Sequence, residues 1–218
     1  MDTHRTDAAP GRALRAAAVL AAAAVAAVAL VSVVHERTRP QIEASQRAER
    51  LARLTSVLGG VAWDNDPLAD TLAVRDPELL GTDETLVAHR VRLRGVTVAV
   101  LLNVVAPGGY GGAIRLLVAA DPQGHLLGVR VVEHHETPAL GDGIEERRTD
   151  WVHGFDGRSL GDPPPARWQV RKDGGDFDQF TGATVTPRAV VRGVRNALVY
   201  VERHREQLFA AAAAPAAP

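Results

Sequence analysis

Asp178-Gln179-Phe180-Thr181-Gly182-Ala183-Thr184-Val185-Thr186-Pro187 sets the reading of this chain. Thr181, Thr184 and Thr186 place hydroxyl groups within one turn, and Gly182 lets backbone approach a ligand closely. Thr186-Pro187 reads as an N-cap followed by Pro at the first helical position. A helix start presents unpaired N–H groups and the positive end of the dipole, so the turn suits an anion. The stretch has no Gly-Lys-Ser/Thr of a phosphate loop, and no G-x-G-x-x-G follows a strand, which argues against an ordinary nucleotide site. The plain alternative is a capped turn before a surface helix.

Working outward, Pro187 to about Leu208 predicts the closing helix, with Val191, Val194, Leu198 and Val201 as its apolar stripe and Arg188, Arg192 and Arg195 on another side. Upstream, Leu86 to Leu93 alternates and Thr97 to Val105 is β-branched and apolar. These predict consecutive antiparallel strands joined at Arg94-Gly95. Further strands are expected at Ile114–Ala119 and His125–Glu133, after the glycine loop Gly108-Gly109-Tyr110-Gly111-Gly112 and the turn Asp121-Pro122-Gln123-Gly124. Ile144, Trp151 and Phe155 predict a helix over Gly143–Phe155, the two aromatics as core. A short strand is expected over Arg167–Arg171, and Asp64 to Pro77 reads as a polar surface connection.

From Ala16 to Val34 the chain is apolar except for Ser32, roughly 19 residues, enough to cross the hydrocarbon core of a bilayer. The run exceeds an ordinary signal-peptide h-region and no small-residue site follows before His35-Glu36-Arg37, so it reads as an uncleaved anchor. Arginines flank it on both sides, and charge leaves its orientation undecided. Beyond Pro40, Ile42, Leu51, Leu54 and Leu58 recur near a helical period and predict an amphipathic stalk ending at Gly59-Gly60. Ala210 to Pro218 is Ala/Pro low complexity, read as disordered.

The net charge of −1 and 4% aromatic content offer nothing to nucleic acid. With no cysteine among 218 residues, disulfides, thiolate metal sites, iron–sulfur ligation and thiol catalysis are excluded, so redox work needs a borrowed cofactor. His134-His135-Glu136 invites a metal reading, but adjacent histidines at a strand end point to opposite faces and H-E-x-x-H spacing is absent.

Asp178-x-x-Thr181-Gly182-Ala183-Thr184 resembles the acceptor motif of covalent flavinylation, D-x-x-[ST]-G-A-[ST]. His134-x-Glu136-Thr137-Pro138-Ala139-Leu140-Gly141 is similar to the H-x-E-T-P-G-L-G motif of FMN-binding subunits of the Rnf and sodium-translocating NADH:quinone reductase complexes, with Ala139 standing where that pattern has Gly. Gly109-Tyr110-Gly111-Gly112 resembles their G-Y-G-G element. The conjunction resembles the G-subunit family of the Rnf ion-translocating electron-transport complex. The C subunit of the quinone reductase, or a regulatory membrane flavoprotein, stands as the alternative.

The resemblance implies FMN esterified to Thr184 through its phosphate by a flavin transferase of the ApbE type. It implies cofactor contacts from Thr181, Gly182, Ala183, Glu136, Thr137, Leu140 and Gly141, no metal, and no catalytic acid, base or nucleophile. It further implies electron relay among the other subunits of the complex, in a bacterial inner membrane crossed once, with the flavin domain on the periplasmic side. The expected fold is α+β: one N-terminal transmembrane helix, then an FMN-binding domain with a mainly antiparallel sheet flanked by helices. The expected divisions are a tail over 1–15, the anchor over 16–34, a helical stalk over 35–60, the FMN-binding domain over 61–209 and a disordered tail over 210–218.

Overall fold

The computed structural model describes residues 10–211, with side chains from 14 onward. Of the tails expected over 1–15 and 210–218, residues 1–9 and 212–218 lie outside the described residues. The chain divides into two compact units, one up to Arg50 and one from Leu51 onward.

The described part of the first unit lies in helix α1, Pro10–Thr55, whose residues from Leu51 on are counted with the second unit. Among the described residues it is the one helix long and apolar enough to cross a membrane, with a mean hydropathy of 2.7 in its most apolar window. Pro40 lies inside it and the helix continues. Alanine-rich composition favours the conformation over its apolar part, where the side chains from Leu14 to Val34 are exposed all round, as a lipid-facing helix requires.

The second unit is α+β. Among the described residues its sheet has five strands in sequence order, all pairs antiparallel: β1 Thr71–Val74, β2 Leu86–Leu93, β3 Val96–Gly109, β4 Gly112–Ala120 and β5 Leu126–Glu133. β3 reads as a nearly unbroken apolar run because both faces are covered. Val100, Leu102, Val104 and Ala106 face the main core with Ile114, Leu116 and Val118 of β4, while Ala99 and Leu101 face Val57 and Leu58 on the other side. The main core is closed by helix α3, Val185–Arg203, through Val190, Val191, Val194, Ala197, Leu198 and Val201.

Several expectations are corrected. Asp64–Pro77 carries an edge strand, β1, and Pro77 opens a short helix α2, Pro77–Leu80, where the Asp76 carboxylate accepts from the Glu78 and Leu79 N–H groups at 3.1 and 3.0 Å. Gly143–Phe155 is not an α-helix: 3₁₀ turns at Asp142–Ile144 and Asp150–Phe155 replace it, the second capped by the Thr149 hydroxyl, which accepts from the Trp151 N–H. Tighter turns bring Phe155 into an aromatic cluster with Phe177 at 4.7 Å between centroids. Arg167–Arg171 is not a strand; 3₁₀ turns at Pro165–Arg167 and Arg171–Asp173 flank one isolated bridge, Val170 to Phe177. The closing helix starts two residues early, at Val185, and breaks after Arg203 before a short helix α4, Arg205–Leu208.

The connection order brings two segments to one end of the sheet. The β3–β4 hairpin tip (Gly109–Gly112) and the chain leaving β5 at Glu133 share that end, because Arg115 near the start of β4 pairs with Glu133.

Candidate functional site: a cleft at the start of α3

The stretch that opens the reading forms a tight turn. The Ala183 N–H donates to the Phe180 carbonyl at 3.1 Å, and Gly182 at its third position has φ +83°, a value L side chains adopt at a cost. Two aromatics hold this turn. The Trp151 indole N–H donates to the Asp178 carbonyl at 2.8 Å, and Trp151 and Phe180 pack with ring centroids 5.5 Å apart. The Asp178 carboxylate faces outward and pairs with Arg171 at 2.7 Å.

Thr184 occupies the N-cap position of α3 with helical backbone angles (φ −76°, ψ −26°), so its side chain makes no capping bond. Among the described residues the Thr184 hydroxyl has no hydrogen-bond partner, nor do the N–H groups of Val185 and Thr186. The Thr186–Pro187 pair is therefore not the cap and first turn expected. Thr186 lies inside the helix, 1% exposed, and its hydroxyl donates to Glu136 Oε2.

That contact ties the site together. Glu136, 6% exposed, accepts the Thr186 hydroxyl on one oxygen and the Gly111 N–H, at 3.0 Å, on the other. One carboxylate thus joins the hairpin tip, the loop after β5 and the start of α3. The approach is close enough that a Cβ on Gly141 would lie 2.7 Å from Glu136 Oε2, and one on Gly111 would lie 1.9 Å from the His135 carbonyl oxygen. Glycine at both positions is a packing requirement of this clamp.

Between these segments lies a cleft of about 380 Å³, within the ordinary range for small-ligand sites. It is lined by Tyr110, Glu136, Thr137, Leu140, Gly141 and Gly182–Thr186. Of the residues expected at the cofactor, Gly182, Ala183, Thr184, Glu136, Thr137, Leu140 and Gly141 come together here, whereas Thr181 projects to solvent outside the lining. Tyr110 and Leu140 are 78% and 49% exposed at the rim. Tyr110, Val185 and Thr186 line the cleft as well, outside the set of cofactor contacts expected from the motifs. The Glu136–Thr186 bond joins residues 50 apart, and no local spacing announces it.

The first residue of the motif, His134, has structural partners. His134 accepts the Glu136 N–H on Nδ1 at 3.1 Å and meets Glu145 Oε1 through Nε2 at 2.6 Å, which fixes the tautomer with its proton on Nε2. The Arg147 guanidinium, and after it His134, lower the Glu145 carboxyl from an ordinary value near 4.5 to about 2, against an opposing effect of burial. A depressed carboxyl stabilises the fold fully above its unfolded value, and that contribution disappears as pH falls through the folded one. Thermal unfolding should therefore show a loss of stability between about pH 4.5 and pH 2 that is smaller in Glu145→Gln. Equal acid slopes for the two proteins would contradict this assignment.

Ala139 takes φ +60°, so the backbone keeps a left-handed conformation with a Cβ in place. Left-handed geometry costs an L residue about 1–2 kcal/mol, partly offset by the smaller unfolded-state entropy of Ala relative to Gly. Ala139→Gly is expected to stabilise the domain by about 0.5–1 kcal/mol, read as a raised unfolding midpoint.

Residues 109–199 match the FMN-binding domain family and residues 11–57 match the RnfG N-terminal region. The G subunit of the ion-translocating oxidoreductase complex of Pseudomonas aeruginosa is 51% identical over 94% of this chain and 96% of its own length. This chain belongs to the G-subunit family of ion-translocating oxidoreductase complexes. The G subunit of Cereibacter sphaeroides is 46% identical over 83% of this chain and 80% of the relative, and that of Shewanella oneidensis is 42% identical over 82% and 84%. The FMN-binding match begins at the hairpin tip and ends within α3, so it contains every segment that builds the cleft. The family resemblance and the α+β fold expected from the sequence both hold.

Proposed function

We propose that this chain carries FMN as a phosphoester on Thr184 and relays electrons between neighbouring subunits of its complex. One observation carries the reading most directly. In a cleft of ligand size within the FMN-binding region, the Thr184 hydroxyl is, among the described residues, free of protein partners beside two unpaired N–H groups of a helix start. The residues fit the group. A phosphate on Thr184 Oγ1 would meet the N–H groups of Val185 and Thr186, and the rim side chains Tyr110 and Leu140 supply apolar cover for a ring. Bound flavin supplies electron-carrying chemistry in a chain whose lack of cysteine leaves it no thiol chemistry and no iron–sulfur ligation.

The chain's own contribution is to hold and to orient. Glu136 fixes the cleft walls, Gly182 shapes the turn that displays Thr184, and the Trp151–Asp178 bond keeps that turn against the domain. The exposed Asp178 carboxylate is placed for reading by a modifying enzyme. A threonine hydroxyl needs external activation to act as a nucleophile, and a flavin transferase of the ApbE type supplies it. In that reaction the Thr184 oxygen forms a bond to the FMN phosphorus of FAD, the phosphoanhydride bond breaks, AMP leaves, and the hydroxyl proton passes to the transferase. α1 anchors the domain at the membrane, with the flavin domain on the periplasmic side of a bacterial inner membrane.

Mass spectrometry tests the reading on chain co-expressed with such a transferase. The peptide containing Thr184 should gain the mass of FMN less one water, fragmenting to place it on Thr184. An unmodified peptide, or an adduct on Thr181, would overturn it.

A further inference from the structure

A second cleft, of about 320 Å³, lies along α3 against the 3₁₀ segment that starts at Pro165. Arg188, Arg192 and Arg195 line it at spacings of four and three residues, one face of the helix. Their situations differ. Arg188 is held by Asp173 through two hydrogen bonds, at 2.6 and 2.9 Å, and its charge is met. Arg192 reaches the Pro107 carbonyl at 3.5 Å, a marginal contact. Arg195 makes no hydrogen bond or ion pair among the described residues, although its Nε is fully shielded from water. Arg130 Nε is also shielded without an aligned hydrogen bond, but Glu146 lies 2.8 Å from it. Among the described residues Arg195 has no such carboxylate.

Arg195 is half-buried: its Nε is shielded and unmet while its terminal nitrogens keep solvent access, so an anion entering the cleft can complete the guanidinium there. The two guanidinium groups without an acidic partner sit over a floor formed by Trp168 and Val191, which are 3% and 1% exposed. We infer that this cleft receives an acidic side chain, Asp or Glu, from a neighbouring protein subunit, with Arg195 and Arg192 binding the carboxylate. A carboxylate on an apolar stem matches a floor of that kind. Inorganic phosphate or a lipid headgroup would set charged oxygens against Trp168 and Val191. Membership of a family of complex subunits supplies a neighbour of the required class. The cleft shares no lining residue with the one at Thr184 and needs no flavin.

The test uses the full chain in detergent and fluorescein-labelled hexaglutamate as probe, read by anisotropy at low salt. Binding is expected, weakened about tenfold by Arg195→Met and less by Arg195→Lys, which keeps the charge but loses the fork. Without peptide, Arg195→Met should unfold at the same temperature as the parent or higher, because it removes an uncompensated charge while keeping the stem. Equal peptide affinity in parent and Arg195→Met would overturn the inference. So would a lowered unfolding temperature, which marks a structural role, or binding of inorganic phosphate without binding to hexaglutamate. The Thr184 adduct should be unchanged in Arg195→Met, so failure here is separable from failure of the flavin reading.

Discussion

Thr184→Ala is expected to abolish covalent flavin while the domain unfolds within about 1 kcal/mol of the parent. The reason is local. The hydroxyl has no hydrogen bond to lose, and the N-cap backbone is already helical, so alanine there removes no capping interaction. Such a small structural cost against complete loss of the adduct separates an attachment site from a fold determinant. On a denaturing gel the parent co-expressed with a transferase should fluoresce under ultraviolet light, and Thr184→Ala should be dark. A fluorescent Thr184→Ala band would move the attachment elsewhere. Thr184→Ser keeps the hydroxyl and should retain the adduct, which tests chemistry apart from side-chain shape.

Much of the fold was legible because its signals are local. β3 and β4 announce themselves by β-branched and apolar residues, and the helix of the first unit by its apolar run. Less legible were elements whose conformation depends on distant partners. β1 is four residues long between Asp and Pro signals, and exists through pairing with β2. Trp151 and Phe155, four apart, fit an α-helix on paper, but the ring cluster with Phe177 and Phe180 favours 3₁₀ turns. At the site, the motifs named the segments and left their joint unseen. Thr186 read as a cap because caps are local, whereas its actual partner, Glu136, becomes a neighbour only once the sheet and α3 have packed.

Glu136 accordingly carries the largest expected effect on the domain itself. Glu136→Leu leaves the Gly111 N–H and the Thr186 hydroxyl unsatisfied in a shielded place, at about 1–3 kcal/mol each. It also forces a branched side chain against Gly109 and Gly141, where even a methyl group would sit within 3 Å of Glu136 atoms. The expected destabilisation is about 3 kcal/mol or more, a fall in unfolding midpoint of roughly 6–12 °C for a domain this size. Glu136→Gln keeps an acceptor for the Gly111 N–H and places an amide against the Thr186 oxygen, so it should cost about 1 kcal/mol.

The two variants also separate a clamp from a direct flavin ligand. If Glu136 acts by joining three segments, Glu136→Gln keeps the cleft and the Thr184 adduct forms, while Glu136→Leu loses the adduct together with stability. Thr186→Val should weaken the same joint, and a double-mutant cycle with Glu136→Gln should return a coupling of about 0.5–1 kcal/mol. Strictly additive effects would mean that the two side chains stabilise the domain independently. In that case the shape of the cleft would rest on the glycine contacts alone.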